Sequence, residues 1–271
     1  MGFFKRQDNK LLKDAIAREL NFYQNIVISN DPDDIRILPF IPDFHGVQQI
    51  SFTKGSTVTT KDFLILRDIT EGFIFPNIID IKIGFRTWGP EHSLEKQIKK
   101  NAKCAPTRNA YGFIVKGLRV SSLEFNITAE HSQVKTLSYD KRFGELLKPE
   151  NVSVIAETFF DTKVSGYVPE CAEIILKQII AIYKAFLEQR KYNLYGSSLL
   201  VAYDMNAVRE FQQGIIDLDQ LEKFIEVKII DFGNAFLSDG KRDDNFLIGL
   251  KNVIHLFQSY LGHSATKTIE T

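Results

Sequence analysis

Asp80, Lys82 and Asp231 are the side chains that mark a candidate site in this chain. Asp80 and Lys82 lie two apart in the alternating segment IIDIKIGF, where Ile79, Ile81 and Ile83 must face one side of a strand and Asp80 and Lys82 the other. Asp231 closes an apolar run, KII, and is followed by Phe232 and Gly233. A carboxylate at the end of a buried strand is a common way to hold Mg2+ beside a nucleotide, because that ion takes one or two carboxylates and completes its shell with phosphate oxygens. A turn or capping role for Asp231 is the competing reading. The window from Lys82 to Arg119 adds a field: Lys82, Arg86, Lys96, Lys99, Lys100, Lys103, Arg108, Lys116 and Arg119 stand against Glu91 and Glu95 only. Such a run is ordinarily a solvated face. Starting beside Asp80 and Lys82, it also suits a polyanion, either nucleic acid or a multiply phosphorylated small molecule.

The elements that must position these groups can be read from periodicity. Leu12, Ile16, Leu20 and Tyr23 keep helical spacing and predict an amphipathic helix from Lys10 to Gln24, ended before the apolar IVIS. Pro32, Pro39 and Pro42 interrupt the next stretch; Gln49 to Thr53 and Thr57 to Arg67 then read as strands, with turns at Gly46 and Gly55. Ser93 to Cys104 reads as a helix capped by Ser93, with Glu95 and Lys99 at i, i+4, and Gly112 to Leu123 as strand. Glu170 to Lys191, preceded by Pro169, carries Ile175, Ile179, Ile182 and Phe186 on one stripe and is the longest helical pattern. SSLLVAYD and EVKIIDFGNAF read as adjacent strands of a buried sheet, joined by a polar connection, and Asn245 to Leu261 as a last helix.

Composition bounds the class. The chain has 271 residues, 34 basic and 34 acidic, 44 % hydrophobic and 12 % aromatic, so it is a folded globular protein rather than a disordered or strongly charged one. Cys104 and Cys171 stand singly, which argues against a disulfide scaffold or structural zinc and for reduced thiols in a cytoplasmic or nuclear protein. No apolar run approaches the roughly 20 residues of a bilayer span, and the start MGFFKRQDNK lacks the order of a signal peptide. The Asn126 and Asn151 sequons are therefore read as chance matches.

The pieces combine in order. Pro76, Asp80, Lys82 and Gly84 form P-x-x-x-D-x-K-x-G, followed by Ser197-Ser198-Leu199-Leu200 and by Ile230-Asp231-Phe232, with LRDI, RELNFY and GLKNVI as further similarity. This set, spanning Pro76 to Phe232, resembles the inositol polyphosphate kinase family. The resemblance implies an α+β, two-lobed fold related to protein kinases and ATP-grasp enzymes, with residues 1–69 an N-lobe ending in the ATP hinge and 70–271 a C-lobe carrying the inositide-binding segment and metal site. It implies ATP and Mg2+ as cofactors. The Arg67 carbonyl and the Ile69 amide would bond the adenine edge; relatives commonly have an acidic residue at Arg67, which the use of backbone makes tolerable. Asp80 would bind the ribose or orient the nucleotide, Lys82 contact the acceptor and the moving phosphoryl group, Asp231 hold the metal, and Ser198 support the metal-phosphate end. Lys96, Lys99, Lys100 and Lys103 would bind the inositide, Lys99 and Lys103 sharing a helix face. Lys5 is the expected phosphate-binding lysine, with Glu19 of RELNFY as its helix partner, although relatives have more strands before that lysine. Asn234 stands where some relatives have a histidine.

The expected activity is an ATP-dependent kinase acting on a soluble inositol polyphosphate, with inositol hexakisphosphate, giving a diphosphoinositol phosphate, as the first choice. A multikinase or trisphosphate kinase acting on less phosphorylated inositols is the alternative. The expected protein is a monomer that neither binds nucleic acid nor inserts in membranes. A protein kinase, suggested by IDFG, fails on the missing G-x-G-x-x-G, H-R-D-x-x-x-x-N and A-P-E motifs. A non-catalytic polyanion-binding module would have no use for Asp80 and Asp231 in its site.

Overall fold

The computed structural model describes residues 3–5, 10–102, 106–124, 133–160 and 169–269. The N-terminal part is a four-stranded antiparallel sheet in the order β1-β2-β4-β3, made of β1 (Phe3–Lys5), β2 (Lys10–Asp14), β3 (Phe44–Lys54) and β4 (Thr57–Arg67). α1 (Ala17–Ile26) and α2 (Pro32–Ile37) are inserted between β2 and β3. The expected helix from Lys10 to Gln24 is thus divided: its first third is strand. Lys10 to Asp14 pair with Arg67 to Phe63 of β4, and the ladder outweighs a helical spacing that Leu12 and Ile16 satisfied by coincidence. The helix proper buries Phe22, Tyr23 and Ile26.

The second sheet is antiparallel, with the order β10-β9-β5-β6-β7: β5 (Pro76–Ile83), β6 (Phe113–Glu124), β7 (Gln133–Tyr139), β9 (Ser198–Asp204) and β10 (Ile225–Ile230). β5 sits at its centre with Ile79, Ile81 and Ile83 fully buried, so the alternation read from sequence is the one observed. α3 (Leu94–Ala102) is followed by α4 (Pro106–Tyr111), α5 (Lys141–Leu146) and α6 (Val154–Phe160), the last three in contact with β6. α7 (Pro169–Glu188) packs on β10 and on α10 (Asp244–Ile269) through the expected stripe, with Phe186 and Phe246 rings 4.7 Å apart. The polar connection after β9 holds two short helices, α8 (Met205–Gln212) and α9 (Leu218–Glu222). EVKIIDFGNAF is not one strand: β10 ends at Ile230, the chain turns at Asp231, and Ala235–Leu237 forms β11, which pairs with β8 (Tyr192–Leu194) in a separate ribbon.

One apolar core runs through both sheets, including Leu64 and Leu66 of β4, Tyr23 of α1, Phe232 and Phe257. Buried polar groups tie its edges. Asp204 accepts from the amides of Ile74, Phe75 and Asn206, and Asp34 accepts from the Tyr192 hydroxyl at 2.7 Å and from Lys191. Cys171 is a buried free thiol, whereas Cys104 lies outside the described residues. Among the described residues no helix is long and apolar enough to cross a membrane.

Asp243 joins β8 to α10, accepting from the Leu194 amide at 2.6 Å and the Phe246 amide at 3.0 Å. Burial pushes its carboxyl from 3.8 up to about 6. The folded state therefore keeps this proton to a higher pH than the unfolded chain, and the stability it contributes is present below about pH 4 and lost as pH rises through about 6. Asp243→Asn should remove about 3 kcal/mol of that pH-dependent loss, measured as a flatter profile of urea midpoints across this range.

Candidate active site

Strand register alone brings the first group of site residues together. Lys82 of β5 pairs with Ser198 of β9, and Ser198 pairs with Ile230 of β10. Asp231 follows Ile230, so it emerges at the end of the sheet where Lys82 points. Asp80 lies one pleat further along the same face, opposite Leu200. One Asp80 carboxylate oxygen and the Ser198 hydroxyl are buried and have no hydrogen-bond partner among the described residues. Burial raises the Asp80 pKa; the nearby Ser198 hydroxyl and the Lys82 and Lys116 charges oppose it, while Asp231 adds to the rise. Burial lowers the Lys82 pKa, and Asp231 and Asp80 counter it. Gly196, at φ 80°, lies against Thr87: a Cβ there would stand 3.3 Å from the Thr87 Cβ and carbonyl oxygen and in ordinary contact, 3.5 Å, with the Lys82 ammonium.

The second group is a buried ion cluster drawn from three elements. Lys13 of β2, 2 % exposed, donates to Glu19 of α1 at 2.6 Å and to Asp231 at 2.5 Å. Burial pulls its pKa down, but the two carboxylates more than offset this and leave it above the ordinary lysine value. Glu19 also accepts from the Phe232 amide at 3.0 Å, and the Ser197 hydroxyl donates to the Asp231 carbonyl at 2.9 Å. These bonds hold Asp231 at φ 67°, a left-handed conformation uncommon outside glycine. Phe232 is in turn fixed by stacking on Phe22, with centroids 4.1 Å apart.

A cleft of about 480 Å³ opens over these groups, lined by Lys82, Asp231 and Asn234 on one side and by His92, Lys96 and Lys100 on the other, and by Ile16, Arg18 and the buried Glu19 of the α1 region. The segment between β5 and α3 that carries its far wall is braced at several points. Asn245 clamps the Arg86 backbone through two hydrogen bonds. The Arg86 guanidinium lies between the Trp88 and Tyr195 rings, at 3.8 and 4.3 Å. Arg18 covers the Phe236 ring at 4.0 Å and grips Glu91 through two bonds of 2.8 and 2.5 Å.

Of the residues singled out in the sequence, Lys82, Asp231, Lys96 and Lys100 meet in this cleft, with Asp80 and Ser198 behind Lys82. Lys99 is turned elsewhere: its ammonium pairs with Glu95 at 2.5 Å on the exposed side of α3. Lys103 lies outside the described residues. Arg67 and Ile69 stand at the exit of β4, where the Arg67 side chain bridges to Glu226 of β10 at 2.7 Å, and Ile69 is buried. Among the described residues the lysine brought to Asp231 and Glu19 is Lys13, whereas the expected lysine is Lys5. The Lys5 backbone pairs with Leu11 at the end of β1, and its side chain is outside the described residues. Glu19 is the helix partner, as expected, but of Lys13. The strand KLLKD shows no period-2 alternation, with Leu12 and Lys13 adjacent and both buried, so only the six-residue separation of Lys13 from Glu19 hinted at the pairing.

A family model described as inositol polyphosphate kinase matches residues 63–258, well over half of the chain. The chain belongs to the inositol polyphosphate kinase family. It is similar to inositol hexakisphosphate kinase 1 of Saccharomyces cerevisiae, 29 % identical over 213 residues that make up 77 % of this chain but only 19 % of that protein. It is also similar to inositol polyphosphate multikinase beta of Arabidopsis thaliana, 27 % identical over 265 residues, 92 % of this chain and 84 % of that one. Among solved structures, inositol phosphate multikinase Ipk2 of S. cerevisiae, in complex with ADP and Mn2+, superposes with a TM-score of 0.72 at 24 % identity, covering 93 % of this chain and 99 % of that one. The two-lobed α+β fold of the inositol polyphosphate kinases is thus the fold of this chain.

In this family member the ion cluster should govern stability as well as geometry. Lys13→Met leaves Glu19 and Asp231 facing one another without their cation and should cost about 3–5 kcal/mol, read as a lowered urea midpoint. Adding Glu19→Gln should recover part of the loss, because the two sites are in contact and their effects cannot be additive.

Proposed function

We propose that this chain is an ATP-dependent kinase for soluble inositol polyphosphates. The observation that carries the reading is the convergence on one cleft of Lys82, of Asp231 with its buried Lys13, and of the α3 lysines Lys96 and Lys100. Transferring a phosphoryl group requires an acceptor oxygen to attack the γ-phosphorus in line while the bond to the β-bridging oxygen breaks, releasing ADP. The protein's part is to position two anions and neutralise charge. In this reading the exit of β4, at Arg67 and Ile69, separates the two lobes and bonds the adenine edge through backbone. Asp80 orients the nucleotide, Lys13 holds its phosphates, and Lys82 contacts both the moving group and the acceptor. Lys96 and Lys100 bind the acceptor's phosphates.

The donor set also fits a nucleotide-borne divalent ion. No cluster of three or more His, Cys, Asp or Glu suited to a metal occurs among the described residues. One Asp231 oxygen is taken by Lys13 while the side chain keeps 26 % exposure. A single carboxylate beside phosphate oxygens is the usual environment of Mg2+, which is less often caged by protein alone. When bound, such an ion neutralises charge on the β- and γ-phosphates. Asp231 would hold it and Ser198 would support that end of the cleft.

Two acceptor readings remain within this function. Inositol hexakisphosphate is favoured by the basic surplus of the 82–119 window. A less phosphorylated inositol, as for a multikinase, is favoured by the orientation of Lys99 toward Glu95, which reduces the lysines on the cleft to Lys82, Lys96 and Lys100 among the described residues. Purified protein with labelled ATP and Mg2+ should turn over when inositol trisphosphate, pentakisphosphate and hexakisphosphate are offered separately, and the preferred acceptor distinguishes the two. Asp231→Asn and Lys82→Ala should each lower kcat by at least about a hundredfold; full activity of Asp231→Asn would remove its metal role, and no turnover on any acceptor would refute the kinase.

A further inference from the structure

His92 is a cleft residue that none of these roles uses. It stands two residues before α3, with its carbonyl fixed by the Gln97 side chain at 2.7 Å. Its Nδ1 faces both polar groups of Gly89, lying 3.0 Å from the amide nitrogen and 3.3 Å from the carbonyl oxygen. A neutral ring can accept from the amide with its proton on Nε2, or donate from Nδ1 to the carbonyl while Nε2 accepts from Lys100; an imidazolium donates from both nitrogens. The Gly89 backbone therefore seats the ring in either charge state. Nε2 lies 3.4 Å from the Lys100 ammonium, which also donates to the Thr87 carbonyl at 3.3 Å. With Nδ1 accepting, the Nε2 proton and the Lys100 ammonium are two donors side by side, unable to bond each other. One anionic oxygen placed between them would accept from both.

We propose that His92 is an acceptor-binding residue: with Lys100 it grips one phosphate of the inositol, and it takes up a proton as that phosphate binds. The inference rests on the kinase reading given above. The charges around the ring support it. Partial burial and the Lys100 and Lys96 ammonium groups hold the imidazole below its ordinary pKa, against the pull of the Gly89 backbone and of Glu91. Glu91 is itself occupied by Arg18 of α1, and across the cleft stand Lys82 of β5 and Asp231. A phosphate dianion entering this group cancels the repulsion from the two lysines and draws a proton onto the ring, so binding should tighten as pH falls through the histidine range.

The full chain is assayed with its preferred inositol polyphosphate at about pH 6.5 and about pH 8. His92→Ala should raise the acceptor KM about tenfold at the lower pH, equivalent to one lost charge-assisted bond, with kcat and the KM for ATP within about twofold. His92→Gln keeps a neutral N–H near the Nε2 position; it should match the wild type at the higher pH and lack its tightening at the lower. Calorimetry of inositol hexakisphosphate binding in buffers of different ionisation enthalpy should show proton uptake by the wild type that both variants lose. An acceptor KM unchanged in His92→Ala at the lower pH, or proton uptake that persists in it, overturns the proposal. Absence of wild-type turnover would overturn the kinase reading instead, while the calorimetric comparison still tests His92.

Discussion

One buried cation holds two carboxylates from distant parts of the chain, and most of the site geometry follows from that arrangement. Lys13 contributes from β2, Glu19 from α1 and Asp231 from the turn after β10. An ion cluster so little exposed is stable only while every member is paired, because an uncompensated buried charge costs several kcal/mol. Satisfying Lys13 therefore fixes how the first sheet and α1 sit against the end of the second sheet. Glu19 extends the constraint by binding the Phe232 amide, and Phe232, packed on Phe22 and Tyr23, lies beside the buried Lys13–Glu19 end of the cluster. Charged and apolar interactions meet at this point: burial strengthens the Lys13–Glu19 pair, and Glu19 fixes the backbone on which one ring is carried.

Where an element has a dry face, its side-chain placement could be read in advance. The isoleucines of β5 assigned Asp80 and Lys82 to one face, and the stripes of α7 and α10 are buried as their spacing required. Two failures have physical causes. Leu12, Ile16, Leu20 and Tyr23 fit a helical period, yet pairing with β4 makes the first part a strand, so Lys13 was hidden inside a predicted helix and Lys5 took its place in the expectation. α3 misleads in another way. Its apolar residues Leu94 and Ile98 are 71 % and 58 % exposed, so they do not mark the inward face. A helix whose inward face meets a polar cleft carries no hydrophobic signal for its rotation, which is why Lys99 and Lys100 could be separated only in three dimensions.

Charge counting shows a related limit. The basic surplus of the 82–119 window is real, but its members serve different ends: Arg108 is buried and donates to the Lys100 carbonyl at 2.9 Å, and Arg86 is held between two rings. Only part of the surplus faces the cleft. Among the acidic residues that balance the total, Asp204 and Asp34 are buried partners of backbone and side-chain donors and contribute little to the surface field. Net neutrality here sums structural and surface charges, and only the latter reach a ligand.

The left-handed conformation of Asp231 has an evolutionary consequence. A non-glycine residue at φ 67° costs roughly 1 kcal/mol relative to one that adopts it freely. Glycine would relieve that strain, and asparagine tolerates it, but neither supplies the negative charge that pairs with the buried Lys13. Relieving the strain would therefore unpair a buried cation at a larger cost than the strain itself, so stability retains the aspartate. A lineage could exchange the aspartate without losing stability only by neutralising Lys13 as well, so the two positions should change together.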